Sequence, residues 1–381
     1  MATTEGKKSG FEAVKEFYRL YTTGLSRAEI ERLLKQESLD IFSYYKATVN
    51  GRPVANDRVP ASAGDTWVDV LARQSKVVLR IFLSFVLKLT PARRLFYGVA
   101  ILLFGFALVV SSLFYAFIAF LLVNSLLAFE LADKLLAKDE LEIAREIQLS
   151  LQPELPVVPG VQLSAFYRPA KEVGGDFYDL IRLGDNRVAV VLGDVSGKGL
   201  PAALYAVKLQ GYFELMLGKT ASPKEMLTAI NELVSRRLKR QFFITSLVAI
   251  VDRENSNVQL ARAGHNPMLH YSRPGRKTDQ LTPRGCGLGL QPNQQFAEEI
   301  EDCSVQLAEG DVLVFYTDGI TEAMNASRVQ FGEERLAGLV SSHAGHSAEE
   351  IKNAIITSLT AFVQRAFFDD DAALIVLKLT S

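Results

Sequence analysis

From Leu95 to Phe129 the chain runs for 35 residues, LFYGVAILLFGFALVVSSLFYAFIAFLLVNSLLAF, without one charged side chain. A helix needs about 20 apolar residues to cross the hydrocarbon core of a bilayer. The segment is therefore long enough for one very long, tilted span, or for two short spans joined by a tight turn near Val110–Ser112. Arg93 and Arg94 stand at its entrance, and Glu130, Asp133, Lys134 and Lys138 follow its exit. Lys and Arg concentrate on the cytoplasmic side of membrane helices, which places the two arginines in the cytoplasm. Two short helices, a transmembrane hairpin over 95–129, would return the chain to that same side, and this is the favoured reading. The core hairpin of a soluble protein could have the same composition, but even the stretch between the two halves lacks charge.

The flanks divide further. Residues 1–75 are expected to form a helical N-terminal region of unknown role. Ser26 and Glu29 make a capping box there, followed by an apolar stripe of Ile30, Leu33 and Leu34. Residues 46–65, with Gly51, Pro53, Pro60 and Gly64, are a loop by composition. Residues 76–94 mix apolar side chains with Lys76, Arg80 and Lys88, as a basic amphipathic helix on membrane lipid would, although an ordinary packing helix fits as well. Beyond the apolar block, 130–155 is expected to be a linker or signalling helix, stopped by Pro153, Pro156 and Pro159. Ala137, Leu141, Ala144 and Leu151 fall on one heptad seam that Gln148 interrupts. A homodimer through helix 131–152 and an unpaired linker helix are both compatible with that pattern.

From 156 to 381 short apolar runs alternate with helical patterns. Strands are expected at Val161–Tyr167, Arg187–Leu192, Phe243–Asp252, Val258–Ala263, Asp311–Tyr316 and Ala373–Lys378, and helices near 199–217, 223–239 and 347–366. The helices come in blocks between strands, which suggests an α+β layered domain and not a regular βαβ series. A net charge of −1 gives no electrostatic case for nucleic acid. Two cysteines, Cys286 and Cys303, are too few for a disulfide scaffold and fit a reducing compartment. The four histidines match no zinc spacing. The polar start, MATTEGKKSG, predicts no cleaved signal peptide.

The chemistry lies in acidic residues at strand ends. Asp176 follows Gly174-Gly175, Asp194 follows a strand and Gly193, Asp318 precedes Gly319 at the end of another strand, and Asp369-Asp370-Asp371 precede the last one. A carboxylate at the mouth of a buried strand is costly unless a cation meets it. One Asp-Gly is only a common turn. Four such places together suggest convergence on hard cations, and all-oxygen ligands suit two Mn²⁺ or Mg²⁺ ions. GDVSGKG fails as a phosphate loop, because GxxxxGK[ST] would need Gly at Leu192 and Ser or Thr at Gly199.

Seven segments then occur in order: AREIQLSLQPELP, YRPAKEVGGDFYDL, LGDVSGKGLPAAL, ARAGHNPMLHY, LAEGDVLVFYTDGITEAMN, FGEERL and DDDAALIVL. Over about 144–381 the chain resembles the metal-dependent Ser/Thr protein phosphatases of the PPM superfamily, in their bacterial SpoIIE/RsbU-like branch. The resemblance implies a layered α-β-β-α sandwich with a binuclear Mn²⁺ or Mg²⁺ centre between the sheets. It also implies hydrolysis of phosphoserine or phosphothreonine by metal-activated water, without a phosphoenzyme. Carried over by motif, Asp176 would bridge the metals, and Asp194 would be a second ligand with the Val195 backbone carbonyl nearby. Asp318 would be a third carboxylate and Asp370 a fourth, with Asp371 as ligand if the register slips by one. Asp179 would orient a metal-bound water. Ala373 stands where the family's strand motif usually has Thr, with no consequence for the ligands.

Eukaryotic relatives hold substrate phosphate with an arginine about five residues before the first Asp. Lys171 occupies that place as a substrate contact, or is a surface lysine. Gly197 and Gly199, opening a helix, would offer amide donors to substrate. His265 in AGHNP is a general acid or part of a structured turn. Partners in this branch are phosphorylated regulatory proteins such as anti-sigma-factor antagonists. The whole chain thus resembles a signalling phosphatase anchored in the cytoplasmic membrane, its catalytic domain facing the cytoplasm. The alternative is an inactive membrane scaffold or sensor, which would lack a metal carboxylate, and none is missing.

Overall fold

A computed structural model describes residues 86, 89–216, 222–238, 242–364 and 369–380. The expected helical region 1–75 and most of the basic helix 76–94 lie outside these residues. The chain divides into two compact units, Met1–Asp133 and Lys134–Ser381.

In the first unit the uncharged run forms not one helix but two. Helix α1 covers Pro91–Val110, with proline at its start, where a missing N–H costs nothing. It ends in a left-handed residue, Ser111, and Ser112 N–H closes the turn onto the Ala107 carbonyl at 3.0 Å. Helix α2 then runs over Leu113–Ser150. The two pair antiparallel: Arg93 near the start of α1 reaches Glu130 at 2.8 Å and Asp133 at 2.6 Å, and Phe106 meets Tyr115 edge-on across the turn. Ala100, Ala107 and Ala119 are buried, while Leu102, Leu108, Leu113 and Phe114 face outwards. Small residues inside and large apolar ones outside is the arrangement of helices packed in lipid, where no water drives the apolar face inwards. Both helices are long and apolar enough to cross a membrane.

The expected linker helix is no separate element. Nothing between Leu113 and Gln152 breaks a helix, so α2 continues from the apolar run into the charged stretch and ends ahead of Pro153. The heptad seam also changes meaning. Leu141 and Ala144 are half-buried and Gln148 is buried within the chain, so that face is already used. The seam still exposed runs through Leu136, Ile143 and Ile147.

The second unit is a sandwich of two antiparallel five-stranded sheets. Its strands are β1 (Val161–Arg168), β2 (Phe177–Arg182), β3 (Arg187–Val195), β4 (Ile244–Asp252), β5 (Asn257–Ala263), β6 (Met268–Ser272), β7 (Lys277–Leu281), β8 (Asp302–Gln306), β9 (Val312–Tyr316) and β10 (Ala372–Leu379). One sheet is ordered β1-β10-β9-β6-β7, the other β2-β3-β4-β5-β8. Helices α3 (Leu200–Met216), α4 (Pro223–Ser235) and α5 (Asn293–Glu299) belong to the second sheet's outer side. Helices α6 (Asp318–Thr321), α7 (Glu333–His343) and α8 (Ala348–Val363) go with the first. Leu180, Val190, Leu247, Phe315, Ile375 and Leu377 fill the space between the sheets. On the outer faces, Val314 and Leu374 pack under α7 and α8, and Val191 and Val248 pack under α3 and α4. The α-β-β-α layering is the expected one.

Six strands coincide with the apolar runs, and four do not. A central strand such as β3 is covered on both faces, so it reads as an uninterrupted apolar run. Edge strands β7 and β8, KTDQL and DCSVQ, carry few apolar residues. Short β2 and β6 hide inside the motif-rich stretches.

Candidate metal centre

The antiparallel pairings decide which strand ends meet. In the first sheet the end of β9 lies beside the start of β10 (Tyr316 opposite Leu374), and in the second the start of β2 lies beside the end of β3 (Phe177 opposite Gly193). The acidic residues sit at these four ends: Asp176 just before β2, Asp194 as the penultimate residue of β3, Asp318 just after β9, and Asp369–Asp371 before β10.

Their charges act on one another. Burial pushes Asp176 well above the ordinary carboxylate range, and the charges of Asp194, Asp371 and Asp318 add to it, opposed by the Thr317 hydroxyl. Burial, then Asp318, Asp370 and Asp371, lift Asp194 to about 7, with Asp176 acting in the opposite direction. Asp318 rises to about 6 through burial, Asp370 and Glu322. Carboxylates that raise one another are held together against their own repulsion, which a cation would relieve. Asp176 Oδ2 is buried with no hydrogen-bond partner. Such an orphaned acceptor costs folding free energy unless it is a ligand to something.

The backbone is shaped to bring these groups close. A β-carbon on Gly174 would lie 2.9 Å from the Asp371 carboxylate, and one on Gly175 2.9 Å from the Val195 carbonyl oxygen. The glycine pair is therefore needed for close approach and not merely for turning. Asp371 itself is buried and accepts from Ala170 N–H at 2.7 Å and Gly175 N–H at 2.6 Å. It thereby ties the β1–β2 connection to the start of β10. Asp370 is more open, and Lys198 Nζ lies 2.7 Å from its carboxylate and 3.0 Å from the Asp369 carbonyl. Burial works against the charge on Lys198, yet the Asp370 hydrogen bond and the neighbouring carboxylates leave its pKa raised. The motif singles out the glycines on either side of Lys198 and not the lysine itself. Its one signal was a lysine inside GDVSGKG, directly after an acidic strand end.

Not every expected residue joins the cluster. Asp179 is the third residue of β2, raised to about 6 by burial and by Glu214 of α3, with its carboxylate accepting from the Leu180 N–H. Lys171 is exposed in the β1–β2 connection. Gly197 and Gly199 adopt left-handed backbone, and the Gly199 carbonyl starts α3 by accepting from Ala203. His265 is buried with Nδ1 2.8 Å from the Thr245 hydroxyl, and burial with Arg262 lowers it to about 3. Its burial and its bond to Thr245 suit the structured-turn reading. Cys286 and Cys303 are free.

Among the described residues no three His, Cys, Asp or Glu side chains close around one point as a cage for a single ion. Mg²⁺ and similar ions keep several waters and take only one or two carboxylates each, so an all-oxygen donor set without a closed cage still suits hydrated divalent cations. The acceptors are all oxygen, and one of them is orphaned.

The family model for Stage II sporulation protein E (SpoIIE) matches residues 184–380. Protein IcfG of Synechocystis is 28% identical over 287 residues, covering 67% of this chain but only 44% of that protein. Phosphoserine phosphatase RsbU of Bacillus subtilis is 28% identical over 245 residues, with 63% of this chain and 70% of RsbU covered. The SiaA-PP2C domain of Pseudomonas aeruginosa superposes with a TM-score of 0.56 at 21% identity, over 65% of this chain and 98% of that domain, so the two share a fold. The sandwich, the paired strand ends and the match over residues 184–380 together place the chain in the SpoIIE family.

Proposed function

We propose that the chain is a membrane-anchored protein serine/threonine phosphatase that removes phosphate from phosphoserine or phosphothreonine on a regulatory protein. The observation that carries this reading is the set of mutually raised aspartates at adjoining strand ends in a SpoIIE-family domain. Asp176 and Asp194 would be shared between two Mn²⁺ or Mg²⁺ ions, with the Val195 carbonyl beside them, and Asp318 and Asp370 would complete the acidic wall. Bound there, two such ions supply an activated water and neutralise charge on the phosphoryl group. Asp371 holds the loop under Asp176, a positioning task, since both its oxygens already accept backbone N–H groups. Lys198, half-exposed at the mouth, is better placed than Lys171 to meet the substrate phosphate, with the Gly197–Gly199 backbone beside it. Hydrolysis breaks the phosphorus–ester oxygen bond, joins the water oxygen to phosphorus and returns the serine or threonine hydroxyl.

The naming of RsbU as a phosphoserine phosphatase supports the substrate class. The motif resemblance to the RsbU-like branch makes a phosphorylated anti-sigma-factor antagonist the first partner to try. Helices α1 and α2 would anchor the chain in the cytoplasmic membrane, with Arg93, Arg94 and the phosphatase domain on the cytoplasmic side. A homodimer through helix 131–152 would use the exposed Leu136–Ile143–Ile147 seam.

The test is turnover of p-nitrophenyl phosphate and a phosphoserine protein by the full chain with Mn²⁺. Asp176→Asn and Asp318→Asn are expected to lower kcat/KM at least ~100-fold, about 2.7 kcal/mol of transition-state stabilisation. Lys198→Ala is expected to raise KM roughly tenfold with a smaller effect on kcat. Full activity in the Asp176→Asn, Asp318→Asn double variant would sink the assignment.

A further inference from the structure

Gln148 is a polar side chain on α2 that breaks an apolar seam, and it is 5% exposed. Its amide makes two hydrogen bonds to one residue of the site: Nε2 donates to the Gly174 carbonyl at 2.7 Å, and Gly174 N–H donates to Oε1 at 3.0 Å. An amide side chain can pair with both backbone groups of one residue as a neighbouring strand would. The next residue, Gly175, donates its N–H to Asp371 at 2.6 Å, and Asp176 follows it. The turn that aims Asp176 is thus clamped between a side chain of α2 and a side chain at the start of β10. Neither clamp can be replaced by solvent, because Gly174 and Gly175 are buried.

We propose that Gln148 is a positioning residue, which fixes the Gly174–Asp176 turn so that Asp176 can share a pair of divalent cations. The inference rests on the metal-centre reading above and adds to it a residue outside the acidic motifs. Groups that orient metal ligands typically contribute a factor of 10 to 100 in metal affinity. A purely structural glutamine would alter stability and leave the affinity of the folded protein alone.

The experiment is Mn²⁺ binding to the full-length chain in detergent micelles, followed by the electron paramagnetic resonance signal of free Mn²⁺. Gln148→Met keeps the volume and loses both hydrogen bonds. Gln148→Asn keeps an amide too short to span them and carries the same prediction should the methionine variant fail to fold. Asn231→Ala is the control, because Asn231 also anchors a buried loop, accepting from Gly289 N–H at 2.9 Å and donating to Asn293 at 3.1 Å, on helix α4. Both Gln148 variants are expected to weaken Mn²⁺ binding about 10- to 100-fold, with Asn231→Ala unchanged. Wild-type affinity in a folded Gln148 variant overturns the proposal while the metal centre stands. Equal binding by wild type and Asp176→Asn removes the metal centre itself, and the proposal with it.

Discussion

At the scale of single residues, Gly319 has the least room of any position in the site: a β-carbon there would lie 1.9 Å from the Asp371 carbonyl oxygen. The obstacle is backbone at the start of β10, which cannot swing away as a flexible side chain can. Gly319→Ala is therefore expected to destabilise the fold by about 1–3 kcal/mol, the usual cost of forced overpacking. Urea denaturation would read it, and a midpoint unchanged from wild type would contradict the packing described. The Asp-Gly pair at 318–319 looks in sequence like an ordinary turn. The conformation asks for more, because the glycine lets the chain after β9 pass against the acidic run that precedes β10. Asp371 and Asp370 make the same point. In sequence they are interchangeable neighbours, whereas in the fold one accepts two backbone N–H groups and the other faces Lys198.

At the scale of elements, α1 and α2 have their lengths set by composition and their partnership by packing. The Arg93 pairings with Glu130 and Asp133 put the start of α1 beside the charged part of α2. Single cysteines introduced at Ala92 and at Ala132 are thus expected to be labelled from the cytoplasmic side, and a cysteine at Ser112 from the other side. Labelling of Ala92 and Ala132 positions from opposite sides would exclude the hairpin. Further along α2 the exposed seam of Leu136, Ile143 and Ile147 would offer a second copy an apolar contact under the proposed dimer. That proposal expects cross-linked dimer of the wild type in micelles and its loss in Ile143→Glu with Ile147→Glu, and no wild-type dimer band, or an undiminished one in the variant, would overturn it. Helices α4 and α8 were legible because each shows one apolar stripe, whereas α3 is apolar on all sides and was legible from its length and its run of helix-forming residues. Strands β2, β6, β7 and β8 were not, because their identity comes from the neighbours they pair with.

For the molecule as a whole, the acidic centre sets how stability depends on pH and on cations. Asp194 and Asp318 titrate at about 7 and about 6 in the folded chain, above their ordinary 3.8. A carboxyl with a raised folded-state pKa favours folding while protonated, below pH 4. That contribution is lost as pH rises through 6 and 7. Without divalent ions the chain should therefore melt at a lower temperature at pH 8 than at pH 5. Mn²⁺ takes the place of the protons, so its stabilisation should be larger at pH 8. Melting curves with and without Mn²⁺ at the two pH values test this, and an equal or larger Mn²⁺ shift at pH 5 would contradict it.

Local composition and ordered motifs carry the apolar run, the central strands, the four acidic places and the family. The pairing of distant strands sets which strand ends adjoin, makes Glu214 the charged neighbour of Asp179, and stands Lys198 over Asp370. The fold also explains why a glutamine interrupts the seam of α2. These are relations between residues up to 201 positions apart, as in the bond from Ala170 to Asp371. They depend on strand pairing and shared burial, which no local window of residues contains.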